Sequence, residues 1–222
     1  MAAWKSATVF ALPEGTLGGL WGNHMALDRL GPTDVSGWAV GSVEPMGSKP
    51  DKLWLEAPPS GGQGDAEKWL FKPRTTQRGR EGTFPKGDDW AEKLAFEIAF
   101  VLEIPAAVVE FATRDGVRGI ISRDISRGRP LVLGNEVLFG QDSNYDRRGR
   151  RRVPGYTVAA VFHALRTLGV SAPPSQQGWD ACSVFAGYML LDALVANTDR
   201  HHENWGVLLA VAQPGSLPVI VG

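Results

Sequence analysis

The spacing of apolar residues along the chain predicts short strands first and helices later. Two β-rich pieces within 38–55 flank a turn built on Pro45, Gly47, Ser48 and Pro50, and a further short strand is predicted at 68–73, where Pro73 must end it. Residues 74–87 are polar, basic and Gly-rich, which predicts an exposed loop. Asp88 or Asp89 can cap a helix whose apolar positions recur at helical spacing until Pro105. The pattern therefore predicts a small sheet with one inserted helix.

A hairpin and a second, helical part follow in the pattern. Two β-rich runs flank the turn at 114–116, which predicts a hairpin within 108–122. Beyond Pro130 we expect a helix over 156–168 and another over 179–197, which is apolar nearly all round and is predicted to be buried. The predicted final elements are a pair of strands, near 205–210 and 217–221.

The composition is that of an ordinary globular protein, and it does not indicate which partner the protein binds. The 222 residues are 43% hydrophobic and 21% charged, with a formal net charge of -1. This balance gives no bias toward nucleic acid, and each long apolar run contains acidic residues, so we expect no membrane span. One cysteine, Cys182, is typical of a protein in a reducing compartment, and the cytoplasm is the expected location.

The chemistry-bearing residues are concentrated in the polar run 197–204. Asp199 and Asn204 lie five residues apart after an apolar helix, and a carboxylate with a carboxamide oxygen suits an acceptor hydroxyl and Mg²⁺. Such residues also cap ordinary turns, and by itself the run is ambiguous. Lys72, near the end of a predicted strand, and Glu92, on the following helix, can pair as the phosphate-contacting lysine of a kinase does. The alternative is a surface lysine and a surface glutamate.

With these residues in view, the chain resembles the HipA-like kinase family, relatives of the bacterial HipA Ser/Thr kinases and more distantly of lipid kinases. The most specific piece is Asn197-Thr-Asp-Arg-His followed by Asn204, the catalytic-loop signature of that family. Together the matching pieces span about residues 40–210, and they lie at 46–55, 68–73, 90–95, 102–105, 119–122, 133–136, 154–157 and 194–206.

The resemblance implies an α+β, two-lobed protein-kinase-like fold that uses ATP and Mg²⁺. We expect an N-terminal extension over 1–39, a small β-rich lobe with one helix over 40–124, and a mainly helical, truncated large lobe over 125–222. The expected activity is transfer of the ATP γ-phosphoryl group to a hydroxyl, in particular to Ser or Thr of a protein substrate. A small-molecule or lipid kinase is an alternative, because the same acid and amide serve any hydroxyl acceptor.

The same resemblance assigns roles to individual residues. Asp199 is the expected catalytic base, His201 orients its loop, and Asn204 is the Mg²⁺ ligand. Lys72 is expected to contact the nucleotide phosphates with Glu92 as its partner. The remaining nucleotide contacts fall on the turn Gly47, Ser48, Lys49, which would cover the phosphates, and on Ile121, Ser122, Arg123, which would form the adenine hinge.

One departure from the family keeps another alternative open. The family places a second metal-binding aspartate after the strand that follows the catalytic loop, whereas the only acid after Asp199 in this sequence is Glu203. A Mg²⁺ ion held without that carboxylate would lack its main anionic ligand. A non-catalytic pseudokinase or nucleotide-binding scaffold is therefore a competing hypothesis.

Neither the basic tract nor the histidine and cysteine residues predict a binding site. The basic tract at 147–152 has no interleaved aromatic residues, so it is predicted to be a solvated loop rather than a nucleic-acid site. His163, Cys182, His201 and His202 match no usual zinc-ligand spacing, and no zinc site is expected.

Overall fold

The computed structural model describes residues 31–41, 52–59, 66–149, 152–209 and 218–221. These residues group into two compact units. The strand-rich unit takes the described residues before Ile98 together with Ala107–Asp124, and the helix-rich unit takes Ile98–Ala106 and the described residues from Ile125 onward. Helices and strands are both present, so the α+β class predicted from the sequence is confirmed.

Within the described ranges the chain forms eleven strands and four helices. The strands in chain order are β1 (Thr33–Asp34), β2 (Ala39–Val40), β3 (Leu53–Ala57), β4 (Glu67–Pro73), β5 (Thr76–Gly79), β6 (Gly82–Pro85), β7 (Val109–Arg114), β8 (Val117–Arg123), β9 (Leu131–Leu133), β10 (Gly206–Leu208) and β11 (Val219–Val221). The helices are α1 (Asp88–Val101), α2 (Gly134–Gln141), α3 (Val158–Thr167) and α4 (Ala181–Leu194).

The strand-rich unit is built on a six-stranded sheet in the order β1-β7-β8-β4-β3-β2. The neighbours are antiparallel except β1 and β7, which run parallel. Apolar residues from five positions along the sheet are almost fully buried and form its core: Val35, Leu55, Phe71, Ala112 and Ile121. The predicted hairpin is β7–β8, and its turn residues Asp115 and Gly116 have φ of 49° and 77°. Left-handed backbone at both positions suits the twist of a tight hairpin.

Residues 74–87, predicted as a loop, instead contain a hairpin. Strands β5 and β6 pair antiparallel in a separate two-stranded sheet, with Arg80 and Glu81 between the paired residues Gly79 and Gly82. The prediction was wrong because this hairpin is largely exposed and Phe84 is its only large apolar side chain, so it lacks the apolar alternation that marks a half-buried strand.

Helix α1 begins at Asp88, as predicted, and its first two residues tie it to neighbouring strands. The Asp88 carboxylate accepts hydrogen bonds from the Thr75 hydroxyl and from the Thr75 backbone N–H at 3.1 Å. Asp89 is buried and accepts from Arg118 Nε at 2.8 Å. These bonds fix where the helix starts, and with it the position of Glu92 one turn later.

The helix-rich unit contains α2, α3 and α4 with a three-stranded antiparallel sheet in the order β11-β10-β9. Both long helices begin at a side-chain cap: Thr157 Oγ1 accepts from Ala160 N–H at 3.1 Å, and Asp180 Oδ1 accepts from Ser183 N–H at 2.7 Å. The predicted final strand pair is β10–β11 and is confirmed.

The prediction that the helix before the polar run is buried all round was wrong for one face of α4. Met189, Leu190 and Leu194 are 41%, 53% and 56% exposed. The opposite face is buried and contains Tyr188, Leu191 and Asp192. No helix in the described part of the chain is long and apolar enough to cross a lipid bilayer.

Candidate active site

Lys72 and Glu92 form an ion pair in the strand-rich unit. Lys72 is the sixth residue of β4, Glu92 lies on α1, and the distance from Lys72 Nζ to Glu92 Oε2 is 2.8 Å. Their side chains are only 9% and 11% exposed. The pairing predicted from the sequence is therefore present, and burial makes this bond less subject to screening by salt than a surface pair is. A lysine held in this way has a fixed ammonium position.

Glycine at position 119 allows β8 to lie close beside Lys72. Gly119 is opposite Pro73 in the β4–β8 register, and a Cβ built on it would lie 2.2 Å from the Lys72 carbonyl oxygen. Any side chain here would force the two strands apart. This close approach gives a physical reason for the Gly119-Ile-Ile-Ser piece of the sequence.

The predicted adenine-hinge residues lie at the end of β8. Ile121 and Ser122 are buried and pair with β4 on one side and β7 on the other. The Arg123 backbone N–H donates to the Val108 carbonyl at 3.0 Å, and its side chain pairs with Glu67. Since the sheet ladders use backbone groups along this strand, a nucleotide contact by these residues stays a prediction. Gly47, Ser48 and Lys49 lie outside the described residues.

The polar run after α4 folds into a compact loop in the helix-rich unit. The Asp199 N–H donates to Asn197 Oδ1 at 3.1 Å, and the His201 N–H donates to the Asp199 carbonyl at 2.9 Å. Asn204 closes the loop, because its backbone N–H donates to the His201 carbonyl at 2.9 Å and its side-chain amide donates to the Asp199 carbonyl. The side chain of Asn204 is therefore joined directly to the backbone of Asp199.

The loop presents its two candidate oxygen groups in different surroundings. Asn204 is buried, and because its amide nitrogen is used by Asp199, its Oδ1 is the atom that can accept from or bind a cation. The Asp199 carboxylate has no hydrogen-bond donor or ion-pair partner among the described residues, and Asp199 is partly exposed. Within the described ranges, no group of three or more His, Cys, Asp and Glu side chains is placed to hold a metal ion.

Asp192 anchors the loop to α4, a role that the sequence analysis missed. Its two carboxylate oxygens accept from Arg200 Nε at 2.7 Å and Arg200 Nη2 at 2.9 Å, and Oδ1 also accepts from Asn197 Nδ2 at 2.7 Å. Arg200 Nη1 donates to the Asn204 carbonyl at 2.8 Å, and the guanidinium lies 5.4 Å from the centre of the Tyr188 ring. An acidic residue inside an apolar helix was the available signal, because a buried charge needs a partner.

The two histidines of the loop have different environments. His201 is partly exposed, and its Nδ1 accepts from the Glu203 backbone N–H at 3.2 Å. His202 is buried and its Nδ1 is 2.7 Å from the Tyr145 hydroxyl. Burial lowers the pKa of His202, against the opposing effect of the Glu203 carboxylate. Burial also raises the pKa of Tyr145 to about 12, so its hydroxyl stays protonated and shares a hydrogen bond with the imidazole whose direction is set by the imidazole tautomer.

Glycines of the helix-rich unit let other segments reach this loop. A Cβ on Gly134 would lie 2.2 Å from the Trp205 ring and 2.6 Å from the His202 carbonyl oxygen. The adjacent Asn135 donates from Nδ2 to the Arg147 carbonyl at 3.0 Å. The Leu133-Gly-Asn-Glu piece of the sequence therefore packs against the loop at His202 and Trp205.

Comparison with known proteins gives a structural resemblance only. No family model and no curated protein matches the sequence. Among solved structures, the chain is similar to the Helicobacter pylori proinflammatory kinase CtkA, with a TM-score of 0.55 and 16% sequence identity. The similarity covers 85% of this chain and 56% of the CtkA chain, so the chain corresponds to little more than half of that kinase.

The fold is two-lobed and kinase-like. At 16% identity the resemblance to CtkA shows the fold alone. It confirms the fold class predicted from the sequence, and the roles of individual residues stay predictions.

Proposed function

We propose that this protein is a HipA-like, ATP-dependent phosphotransferase that transfers the γ-phosphoryl group of ATP to a Ser or Thr hydroxyl of a protein. The observation that carries the proposal is the buried ion pair between Lys72 and Glu92. A strand lysine held by a helix glutamate is the arrangement with which kinases fix a cation on the nucleotide phosphates. It occurs here in a chain with a kinase-like fold.

Each residue near the proposed chemistry has a role that its geometry supports. Lys72 binds phosphate oxygens while Glu92 keeps its ammonium in place. Asp199 accepts the proton of the acceptor hydroxyl. This role suits its carboxylate, which makes no hydrogen bond or ion pair with any described residue. Arg200 and His201 hold the loop in shape through their bonds to Asp192, Asn204 and Glu203.

The oxygen groups present on the chain fit a Mg²⁺ ion bound together with ATP. Mg²⁺ takes oxygen ligands and in nucleotide sites needs only one or two from the protein, with the rest from phosphates and water. Asn204 Oδ1 is the proposed ligand, and the ion would neutralise charge on the phosphates. Gly47, Ser48 and Lys49 complete the proposal as the cover of the phosphates, and Ile121, Ser122 and Arg123 as the adenine contact.

The proposal includes the lobes and the location expected from the sequence. The proposed small lobe is 40–124, the proposed large lobe begins at 125, and the proposed extension is 1–39, of which Thr33–Asp34 and Ala39 pair within the six-stranded sheet. The single cysteine, Cys182, is buried and free, which suits the reducing, ATP-containing cytoplasm.

Nucleotide binding and phosphoryl transfer are tested separately. We expect Mg-ATP to raise the melting temperature of the wild-type chain, and Asp199→Asn to keep that increase. With radiolabelled ATP, we expect transfer to dephosphorylated casein in the wild type and none in Asp199→Asn.

Three outcomes would contradict parts of the proposal. If Mg-ATP has no effect on the melting temperature, the chain is not an ATP-dependent enzyme. Stabilisation without transfer to any acceptor would make it a nucleotide-binding scaffold. Transfer to glycerol or to phosphatidylinositol vesicles but not to casein would make it a small-molecule or lipid kinase.

A further inference from the structure

The β5–β6 hairpin carries positive charge that the described part of the chain does not neutralise. Residues 74–87 hold four basic residues and one acidic residue, in a chain whose net charge is -1. Arg78, Arg80 and Lys86 are exposed, and no described residue makes an ion pair or a hydrogen bond with their side chains. Elsewhere in the same unit, Arg118 and Arg123 each pair with a carboxylate. The hairpin is thus a local cationic surface.

Two aromatic side chains lie exposed on or beside the hairpin. Phe84 is 46% exposed and lies over Gly79, where an added Cβ would be 2.6 Å from the ring. Trp90 is 55% exposed and lies against Gly87, where an added Cβ would be 2.1 Å from the indole nitrogen. Glycine at both positions lets the ring lie close against the backbone, and about half of each aromatic side chain stays exposed. The surface therefore offers apolar contact as well as charge.

The outer edge of β5 can accept another strand. The Lys86 N–H donates to the Thr75 carbonyl at 2.9 Å, and hydrogen-bonded positions alternate in an antiparallel pair. The backbone groups of Thr76 and Arg78 consequently point away from β6, and no described strand pairs with that edge. On the other edge the outward residues are Thr83 and Pro85, and Pro85 has no N–H to donate. Strand β5 is the better edge for pairing.

The base of the hairpin is fixed before any partner binds. Thr75 donates from both its backbone N–H and its hydroxyl to the Asp88 carboxylate. The Arg74 N–H donates to the Arg118 carbonyl at 2.9 Å, which ties the first strand to the six-stranded sheet. A surface held in advance loses less conformational entropy on binding.

We propose that the β5–β6 hairpin is a docking site for an extended, acidic segment of another protein, which adds as a strand along β5. The backbone groups of Thr76 and Arg78 would pair with the segment, and Arg78, Arg80 and Lys86 would face its carboxylates. A peptide fits this site better than a nucleic acid does, because an open strand edge pairs with a peptide backbone and the chain as a whole is not basic. Charged edge residues also discourage pairing between two copies of this hairpin.

The charge requirement is tested by fluorescence anisotropy without nucleotide. The probe is a labelled peptide of alternating glutamate and threonine, and a peptide of alternating lysine and threonine is its negative control. We expect the variant Arg78→Glu/Arg80→Glu to weaken binding by about tenfold or more. The matched control Arg127→Glu/Arg148→Glu makes the same charge change at two exposed arginines outside the hairpin and keeps the affinity. An equal loss in both variants would overturn the proposal.

The strand addition is tested by removing one outward N–H from each edge. Thr76→Pro removes a donor from the β5 edge and Thr83→Pro removes one from the β6 edge, and neither changes the charge. We expect only Thr76→Pro to weaken peptide binding, with far-ultraviolet circular dichroism showing that both variants fold. Loss only in Thr83→Pro, or in neither variant, would overturn addition along β5.

A competition experiment separates the two kinds of polyanion. We expect unlabelled acidic peptide to displace the probe at lower concentration than an oligothymidylate does. Stronger competition by the oligothymidylate would overturn the choice of a protein partner. Because these measurements need no ATP, they can succeed where the proposed phosphotransferase activity fails, and the reverse also holds.

Discussion

Arg200 and Asp192 form a two-point ion pair that joins the loop containing Asp199 to helix α4. Arg200 Nε and Nη2 lie 2.7 Å and 2.9 Å from the two carboxylate oxygens of Asp192. Both side chains are largely buried, at 14% and 10% exposure. Arg200 is adjacent to Asp199 in the sequence and also holds the Asn204 carbonyl. The positions of Asp199 and Asn204 therefore depend on this ion pair.

The first prediction concerns the stability that this pair provides. Asp192→Ala should lower the free energy of unfolding by about 3 kcal/mol or more, because it leaves the Arg200 guanidinium buried without its anion. Urea unfolding followed by circular dichroism measures the change. The control is Glu136→Ala, which breaks the exposed pair with Arg147, where the side chains are 44% and 39% exposed. That control should cost less than about 1 kcal/mol, and equal losses would show that Asp192 has no special role.

The second prediction separates the structural and the nucleotide-binding roles of Lys72. Lys72→Met should lower the free energy of unfolding, because the buried carboxylate of Glu92 loses the ammonium group that lies 2.8 Å from it. Lys72→Met/Glu92→Met should recover most of that loss, since two apolar side chains replace the pair. Neither variant should respond to Mg-ATP in a thermal-shift measurement. Lys93→Met removes a different lysine, on α1, which is paired with Glu97 on α1 and with Glu110 on β7, and this variant should keep the response.

The third prediction concerns the close approach of β8 to Lys72. Gly119→Ala should destabilise the chain by about 1–3 kcal/mol, since the added Cβ meets backbone that has no room to move. Gly140→Ala is the matched control, because a Cβ there meets nothing within 4 Å and the residue lies in α2. It should stabilise the chain by about 0.5–1 kcal/mol. Chemical unfolding of both variants decides the point, and a neutral Gly119→Ala would contradict the strand geometry.

The fourth prediction is a loss of stability in mild acid caused by His202. Its pKa in the folded chain lies below the value of 6.5 for an exposed imidazole, because it is buried. Below pH 6.5 the unfolded chain therefore binds a proton that the folded chain does not, and the free energy of unfolding falls as the pH falls. The slope from this group is at most about 1.4 kcal/mol per pH unit.

The variant His202→Gln isolates that contribution. Urea unfolding between neutral pH and mild acid should show a shallower dependence on pH in His202→Gln than in the wild type. His163→Gln, at an exposed histidine, should keep the wild-type slope. If the slopes of all three proteins agree, the acid sensitivity comes from other groups.

Elements with regular apolar spacing were predictable from the sequence. The β7–β8 hairpin and helices α1, α3 and α4 follow from periodic apolar residues bounded by turn or capping residues. The β5–β6 hairpin was missed because its exposed strands carry no such period. The exposed face of α4 was missed because the sequence shows that a side chain is apolar but does not show whether another element packs against it.

The candidate site was predictable to the extent that its residues are close in sequence or belong to a known pattern. Asp199 and Asn204 are five residues apart, and the structure joins them directly. Lys72 and Glu92 were paired through the resemblance to kinases, and the structure shows their contact. Asp192 was missed because its partner, Arg200, is reached only after the chain leaves α4 and turns back. Spacing along the chain does not encode that turn.

The bond between Thr75 and Asp88 also connects the hairpin mechanically to the lysine pair. Asp88 is the first residue of α1, and Glu92 follows it by about one helical turn. The bonds of Thr75 to Asp88, the first turn of α1 and the pair of Glu92 with Lys72 therefore form a continuous series of contacts from the hairpin to the lysine. Thr75→Val would remove the hydroxyl bond to Asp88 and keep the backbone N–H bond, leaving the charges of the hairpin and of the lysine pair unchanged.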